Sequence, residues 1–358
     1  VIEQYSYDTW PVATKWQNQG KQLFPPEAVV HVSSTEQVRA LLLWANERRV
    51  PVIPWGAGSS VTGQGLAVCG GVVLDMLPMK RILALDEVSL VVKVQAGIYG
   101  HILEQELNSR GYTLNHSPQS LDRSTAGGWV ATRAMGQFSS KYGGIEDLVV
   151  GFTVVLPTGE VVETMNVPRA SVGPDLRHVF MGGEGTMGVI TEVSLKIFPM
   201  PESQIFEAVV FDTVKDGLSV MRQITRLGLR PFLIRLYDAD EARYAMQDPS
   251  FSSCVMFLGF DGPLAVAEAE YRVALDLCAE TGGEAIGPEP VKSWMERRFD
   301  FTTVEKLLAQ PGGLAETIEV AHFWDSIEEM YVELKSALAP FADEVLGQHA
   351  HAILHAAQ

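Results

Sequence analysis

The first half of the chain alternates between helix-type and strand-type hydrophobic spacing. Apolar side chains recur every three or four residues in two segments that predict amphipathic helices, residues 33–49 and 99–111. The first segment carries Ser34 followed by Gln37, a predicted capping box, and the second ends at Gly111. Shorter apolar runs predict strands at residues 50–54, 70–76 and 89–97, and strand pairs at residues 148–164 and 188–199.

The pattern changes after residues 198–202, where two prolines predict a domain boundary. Beyond it the spacing predicts strand, helix, strand, strand and helix in succession, at residues 205–211, 216–228, 232–238, 253–262 and 264–283. This succession is typical of a ferredoxin-like, split βαβ layer. The chain is therefore predicted to be an α+β protein with domains at residues 1–200 and 201–345, followed by a C-terminal segment at residues 346–358.

Composition and charge narrow the class of protein. A chain of 358 residues favours two domains, and a formal charge of −17 argues against nucleic acid or an anionic membrane surface as a partner. No apolar run is long enough to span a membrane, and no segment is typical of a signal peptide. Three widely separated cysteines match neither a zinc spacing nor a disulfide framework, which favours a cytoplasmic protein without a structural metal.

A glycine-rich loop at residues 54–65, PWGAGSSVTGQG, follows the first predicted strand. Loops of this kind bind phosphate through backbone N–H groups. A P-loop is excluded because no lysine occurs between Val50 and Met79. A Rossmann loop must open a helix, whereas residues 58–71 contain five glycines. Each of these would cost roughly 1 kcal/mol in a helix interior. The remaining alternatives are a pyrophosphate-binding loop and a flexible loop without a ligand.

Two later segments have the same composition. Residues 117–136 and 180–192 are again rich in glycine, serine and threonine, and each adjoins a predicted helix or strand. Ordinary tight turns would also use glycine. Three loops of one composition nevertheless favour a single large polar ligand that is bound mainly by backbone groups.

The motifs in these loops resemble those of the vanillyl-alcohol-oxidase/PCMH flavoprotein superfamily. The segments PWGAGSSVTG, SLDRSTAGGWVATRA, KYGGIEDLVVGFTVVLPTGE and GGEGTMGVITE occur in the order and spacing of its FAD-binding domain, over approximately residues 7–200. Within the superfamily they look most like alkyldihydroxyacetonephosphate synthases. The resemblance implies a two-subdomain PCMH-type FAD-binding domain, a ferredoxin-like α/β cap domain, and a C-terminal segment that returns to the flavin site.

The resemblance also implies which residues contact the cofactor. The pyrophosphate would be bound by Pro54, Trp55, Gly56, Ala57, Gly58, Ser59 and Ser60. The flavin and ribityl region would be lined by Gln119, Ser120, Leu121, Asp122, Arg123, Ser124, Thr125, Gly128, Thr132, Arg133, Ala134 and Met135. The central or adenine part would be enclosed by Glu184, Gly185, Thr186, Met187, Gly188, Val189 and Ile190. The first loop contains no histidine, so FAD is expected to bind non-covalently.

Candidate catalytic residues lie in the second half of the chain. Arg235 is suited to bind a carboxylate or phosphate of the substrate by two hydrogen bonds, and an ordinary ion pair with Asp238 or Asp240 is the alternative. His349 and His351 are two residues apart, so they would share one face of a strand. The resemblance implies proton transfer or metal binding for such histidines, and no metal is predicted here. A C-terminal tail without a role is the alternative.

Three functions remain open at this point. The first is an FAD-dependent oxidoreductase of a small hydroxy acid or alcohol, with hydride transfer to flavin N5 and a histidine as the base. The second is a transferase like alkylglycerone-phosphate synthase, in which flavin N5 bonds to the substrate without net redox chemistry. The third is a flavin-binding protein without turnover. A small-molecule substrate and a homodimer are expected from the resemblance.

Overall fold

The computed structural model describes residues 2–21, 23–310, 313, 318–341 and, for the backbone alone, 349–351. The chain divides into two compact units. The first unit comprises residues 1–136, 144–199 and 299–316. The second unit comprises residues 137–143, 200–298 and 317–358.

The described residues form helices and strands that are numbered here in chain order. The helices are α1 (Pro11–Asn18), α2 (Thr35–Arg48), α3 (Gly100–Asn108), α4 (Ala126–Thr132), α5 (Ser139–Tyr142), α6 (Ile145–Leu148), α7 (Arg177–Phe180), α8 (Val214–Arg226), α9 (Ala239–Met246), α10 (Leu264–Glu280), α11 (Glu289–Arg297), α12 (Thr302–Ala309) and α13 (Ile327–Leu338). The strands are β1 (Ala28–His31), β2 (Val52–Trp55), β3 (Val72–Asp75), β4 (Ile82–Asp86), β5 (Val91–Gln95), β6 (Tyr112–Thr113), β7 (Val149–Val155), β8 (Val161–Glu163), β9 (Val189–Lys196), β10 (Phe198–Pro199), β11 (Ser203–Phe211), β12 (Leu233–Tyr237), β13 (Cys254–Gly262), β14 (Glu284–Gly287) and β15 (His349–His351). Short 3-10 helices lie at Ile2–Tyr5 and Ala339–Phe341.

A small parallel sheet in the first unit leads into the glycine-rich loop. Its strands lie in the order β1-β3-β2, and α2 packs on it through side chains such as Val38 and Leu42. Helix α2 begins as predicted, since Ser34 Oγ accepts a hydrogen bond from the Gln37 amide at 3.3 Å. The reciprocal bond is shifted by one residue, because the Gln37 side chain accepts from the amide of Ser33 instead of Ser34.

A second sheet in the first unit has the antiparallel order β4-β5-β9-β7-β8. The predicted pair at residues 148–164 is confirmed as β7 and β8. The predicted pair at residues 188–199 is wrong. Strand β9 runs straight through it, and the two residues of β10 pair with β6. Lys196, Ile197 and Phe198 offer no turn residue at which the chain could reverse.

The second unit contains the antiparallel sheet β14-β11-β13-β12-β15. Alternate residues of its strands face two different apolar clusters, as strand geometry requires. One cluster contains Ile234 and Leu236 with side chains of α8 and α10, and the other contains Tyr237 with side chains of α9 and α11. Strands β11, β12 and β13 and helices α8 and α10 are the predicted elements, whereas α9 and β14 were not predicted. The resulting sheet has the ferredoxin-like order, and β15 extends it beside β12.

Two segments pack away from their sequence neighbours. Residues 137–143 belong to the second unit, where Lys141 Nζ lies 2.6 Å from Asp261 Oδ1 and the Tyr142 hydroxyl donates to Asp261 Oδ2 at 2.8 Å. Residues 299–316 belong to the first unit, where the Asn18 side chain of α1 donates to the Leu308 carbonyl of α12 at 3.4 Å. Among the helices that the structure describes, none combines the length and hydropathy needed to cross a membrane.

Candidate cofactor-binding site

A cavity of about 330 Å³ lies in the first unit and is lined by residues from all three glycine-rich segments. Predicted cofactor residues that line it are Pro54, Trp55, Gly56, Ala57, Gly58, Ser59, Ser60, Ser120, Ser124, Thr125, Gly128, Thr132, Ala134, Glu184, Gly185, Met187, Gly188, Val189 and Ile190. It is also lined by residues that were not predicted to contact the cofactor, among them Gln64, Met76, Ala96 and Trp129. The three loops, far apart in sequence, therefore share one cavity.

The first loop supplies backbone donors to this cavity. Residues 56–71, between β2 and β3, form turns and bends without a helix, as predicted. Within the part of the chain that the structure describes, the amides of residues 56–61 donate to no other protein group. Free N–H groups in a compact loop are suited to binding a pyrophosphate without a lysine.

Close contacts hold the other two loops against the first. A Cβ atom on Gly56 would lie 2.6 Å from Thr125 Oγ1, so only glycine allows the second loop to approach this closely. Gly185 has a φ of +84°, and a Cβ atom there would lie 2.8 Å from Pro54 Cγ. The Gln64 side chain also donates to Glu184 Oε1 at 3.3 Å. These contacts fix the first loop against both of its neighbours.

A buried tryptophan packs within the second glycine-rich segment, residues 117–136. Trp129 is 1% exposed, and its indole N–H donates to Ser124 Oγ at 2.7 Å. Thr125 caps α4 by accepting a hydrogen bond from the Gly128 amide at 3.3 Å. The hydroxyls of Ser124 and Thr125 are thereby held at the wall of the cavity by partners in their own segment.

Several predicted cofactor residues do not line the cavity. These are Gln119, Leu121, Asp122, Arg123, Arg133, Met135 and Thr186. Arg123 pairs with Asp122 at 3.5 Å and lies over the Phe301 ring, and Arg133 forms an ion pair with Glu146. The side chains of Asp122, Arg123 and Arg133 are therefore engaged within the protein, and contact of all seven residues with the cofactor stays a prediction.

Sequence reasoning missed a buried polar group beside the cavity. His116 is 2% exposed, and its ring lies edge-on to Trp129 with the ring centroids 4.8 Å apart. Neither its ring nitrogens nor Ser117 Oγ has a hydrogen-bond partner among the described residues. Burial lowers the pKa of His116 to about 3, so the ring is neutral near pH 7. In the sequence, the one signal of this buried position is that His116 immediately precedes the second glycine-rich segment.

The second unit buries the predicted catalytic arginine. Arg235 is 6% exposed, with its Cζ atom 5.0 Å from the ring centroid of Trp294 and 5.2 Å from that of Tyr237. Burial lowers its pKa, against the opposing effect of a hydrogen bond with Tyr237. Its Nε atom has no hydrogen-bond partner among the described residues. Burial also raises the pKa of the nearby Glu241 to about 7, against the opposing effect of the Arg235 charge.

The acidic residues considered as partners of Arg235, and the two predicted catalytic histidines, also have defined positions in the structure. Asp238 and Asp240, the ion-pair partners considered from the sequence, both accept from Lys335 Nζ, at 2.6 and 2.8 Å. The register of β12 and β15 pairs Arg235 with His351 and Tyr237 with His349. The two predicted catalytic histidines therefore lie on β15, the strand that pairs directly with the Arg235 strand β12.

The fold and the cavity together define a dinucleotide-binding protein with a ferredoxin-like second unit. The family model of the FAD binding domain matches residues 26–165, and that of the C-terminal domain of FAD linked oxidases matches residues 200–356. The uncharacterized FAD-linked oxidoreductase YgcU of Escherichia coli O157:H7 is 35% identical over 337 residues, which cover 90% of this chain and 69% of YgcU.

Two further relatives differ in their named activities. D-lactate dehydrogenase of Anaerostipes hadrus is 37% identical over 208 residues, covering 58% of this chain and 43% of that enzyme. A solved structure of alkyldihydroxyacetonephosphate synthase has a TM-score of 0.83 at 28% identity, covering 97% of this chain and 73% of that one. The chain belongs to the FAD-linked oxidase family, with the PCMH-type fold predicted from its sequence, and it is an enzyme that uses FAD.

The residues of the cavity fit this cofactor. Its first loop presents free amides and the hydroxyl of Ser59, which are neutral donors of the kind that a pyrophosphate accepts. Ser60 Oγ instead accepts hydrogen bonds from the amides of Thr62 and Gln64, at 3.4 and 3.3 Å. When bound, FAD supplies the electron-accepting ring, and the protein supplies orientation and electrostatics. The cavity lining contains no histidine, cysteine or tyrosine within the described residues, and non-covalent binding of FAD stays a prediction.

Proposed function

We propose that this chain is an oxidoreductase that uses FAD to oxidise a small hydroxy acid or alcohol, with hydride transfer to flavin N5. The observation that carries the proposal is the cavity of the first unit, where three glycine-rich segments present neutral amide and hydroxyl donors. Relatives named as an FAD-linked oxidoreductase and as D-lactate dehydrogenase support the same reaction type.

Arg235 is proposed to bind an anionic group of the substrate. A guanidinium surrounded by aromatic rings is poorly solvated, so a carboxylate that reached it would form strong, charge-assisted hydrogen bonds. One of the two histidines, His349 or His351, is proposed to accept the single hydroxyl proton of the substrate while hydride leaves its carbon. A histidine is the side chain best suited to this transfer near neutral pH.

Anaerobic spectroscopy of the purified holoprotein tests this function. The protein is expected to be yellow and to lose its flavin absorbance when a substrate hydroxy acid, such as D-lactate or glycolate, is added without oxygen. Denaturation is expected to release free FAD into the supernatant. A panel of 2-hydroxy acids and alcohols that leaves the flavin fully oxidised would contradict the oxidoreductase proposal.

The structural match to alkyldihydroxyacetonephosphate synthase favours a second candidate function, a transferase with no net redox change. The two candidates differ in one measurable result. A transferase would exchange an acyl chain for a fatty alcohol on dihydroxyacetone phosphate and would leave the flavin oxidised at the end of each turnover. Labelled fatty alcohol incorporated into the product, without bleaching by hydroxy acids, would select this candidate.

The location and assembly of the protein are also proposals. The three cysteines are free thiols, one exposed and two buried, which supports a reducing compartment such as the cytoplasm. A homodimer is proposed from the resemblance stated above. Light scattering of the purified chain tests it, and a monomer mass at micromolar concentration would exclude it.

A further inference from the structure

The segment just before α1 contacts the glycine-rich loop at two backbone carbonyls. The Thr9 amide donates to the Gly58 carbonyl at 3.1 Å, and the Thr9 hydroxyl donates to the Ser60 carbonyl at 2.9 Å. Gly58 and Ser60 both line the cofactor cavity, whereas Thr9 does not. One residue outside the cavity therefore binds two alternate peptide groups of the loop.

Because of the geometry of the peptide unit, the contacts with Thr9 also orient the N–H groups on the opposite side of the loop. In a trans peptide, the C=O of one residue and the N–H of the next point in opposite directions. Since the Gly58 and Ser60 carbonyls point toward Thr9, the amides of Ser59 and Val61 point away from it. Both of these residues line the cavity, and neither amide has a protein partner among the described residues.

Neighbouring contacts fix Thr9 in place. Asp8 is buried, and its Oδ1 atom accepts a hydrogen bond from the Trp10 amide at 3.1 Å. The Trp10 ring packs against the loop, because a Cβ atom on Gly63 would lie 3.1 Å from it. Thr9 thus lies between two residues that are themselves anchored, which reduces the entropy lost when it holds the loop.

We propose that Thr9 is a positioning residue for the cofactor, which turns the amides of Ser59 and Val61 toward the pyrophosphate of FAD. The Thr9 amide orients the peptide group between Gly58 and Ser59, and the Thr9 hydroxyl orients the peptide group between Ser60 and Val61. The proposal deepens the FAD site and assigns Thr9 no contact with the cofactor. Its test measures binding without turnover, so its failure would leave the proposed oxidation unaffected.

The nearly isosteric substitution Thr9→Val removes the hydrogen bond from the Thr9 hydroxyl to the Ser60 carbonyl and keeps the one from the Thr9 amide. Loss of one such hydrogen bond is expected to weaken FAD binding by roughly threefold to tenfold. Thr9→Ser keeps both donors and is expected to bind FAD as the unchanged protein does. Thr14→Val, on α1, is a matched control because the Thr14 side chain contacts no part of the loop in the described hydrogen bonds.

Two ligands separate positioning from a general loss of structure. Flavin is removed reversibly from the full chain, and the dissociation constants of FAD and of riboflavin are measured by fluorescence quenching. Riboflavin has no pyrophosphate, so its affinity is expected to stay the same in Thr9→Val while that for FAD falls. Unchanged FAD affinity in Thr9→Val would overturn the proposal, as would an equal loss for both ligands or a failure of Thr9→Ser to restore binding.

Discussion

The cofactor cavity of the first unit and the Arg235 cluster of the second unit use opposite physical means. The cavity presents neutral amides and hydroxyls, and its shape depends on close approaches of the backbone at Gly56 and Gly185. The cluster buries a cation between the rings of Tyr237 and Trp294. The first should therefore respond to small changes of side-chain volume, and the second to changes of charge and of pH.

The largest effect is expected at Arg235. Arg235→Met removes the buried charge and is expected to lower kcat/KM for an anionic substrate by roughly a hundredfold to a thousandfold. Arg235→Lys keeps a charge without the planar pair of donors, so it should recover little of this loss. Steady-state kinetics with a substrate that bleaches the flavin measures both variants.

A control variant and a measurement of flavin content test whether the effect is specific to Arg235. Arg243→Lys, on the exposed side of α9, is the control and is expected to retain the activity of the unchanged protein. Flavin content should be the same in all variants because Arg235 is not among the residues that line the cavity. Activity of Arg235→Met equal to that of Arg243→Lys would contradict a substrate-binding role.

A smaller but still large effect is expected from one added methyl group in the cavity wall. Gly185 and Gly282 share a φ of +84°, so alanine strains the backbone at both positions. They differ in space, since a Cβ atom at Gly185 would meet Pro54 Cγ at 2.8 Å and one at Gly282 would meet nothing within 4 Å. Gly185→Ala is expected to weaken FAD binding by roughly tenfold to a hundredfold.

Gly282→Ala provides the matched control for this substitution. It should lower the melting temperature through backbone strain but leave FAD binding unchanged, because Gly282 lies in the second unit. Titration of the deflavinated proteins with FAD distinguishes the two variants. Equal FAD affinities for Gly185→Ala and Gly282→Ala would show that the contact with Pro54 does not shape the cavity.

The same contrast explains what the sequence alone could predict. Glycine positions and short strands are local signals, so the loop at residues 54–65, helix α2 and the ferredoxin-like succession of β11, β12 and β13 were all predictable. Burial of a polar side chain depends on contacts distant in sequence. His116 was therefore missed, although it lies directly against Trp129.

Two further differences have the same physical origin. The end of the predicted pair at residues 188–199 pairs with β6, and no local pattern specifies so distant a partner. The segment at residues 137–143 packs with the second unit through Asp261, more than a hundred residues further along. Non-local pairing of this kind leaves little trace in hydrophobic periodicity.

A moderate dependence on pH is expected in the second unit. The pKa of Glu241 is raised to about 7 by burial, above its usual value of 4.5. Between these two values the folded protein holds a proton that the unfolded chain has released, so stability falls as the pH rises through this window. Glu241→Gln keeps the neutral shape, and its melting temperature should exceed that of the unchanged protein by a few degrees near pH 8.

The control for this comparison is Glu280→Gln, at the exposed end of α10. Its melting temperature is expected to follow that of the unchanged protein across the same range. Differential scanning calorimetry from pH 4 to pH 8 gives the three curves. A Glu241→Gln curve parallel to that of the unchanged protein would mean that the pKa of Glu241 is not raised in the folded state.

The smallest effect is expected at His116, and it has the opposite dependence on pH. Burial holds its pKa at about 3, below the usual value of 6.5, so the unfolded chain binds a proton that the folded first unit excludes. Stability without FAD should therefore fall as the pH decreases from about 6.5 toward 3. His116→Gln, which stays neutral, should lose about a degree or two less over pH 7 to 5. His178→Gln, on an exposed helix of the same unit, is the control, and a control curve identical to that of His116→Gln would refute the assignment.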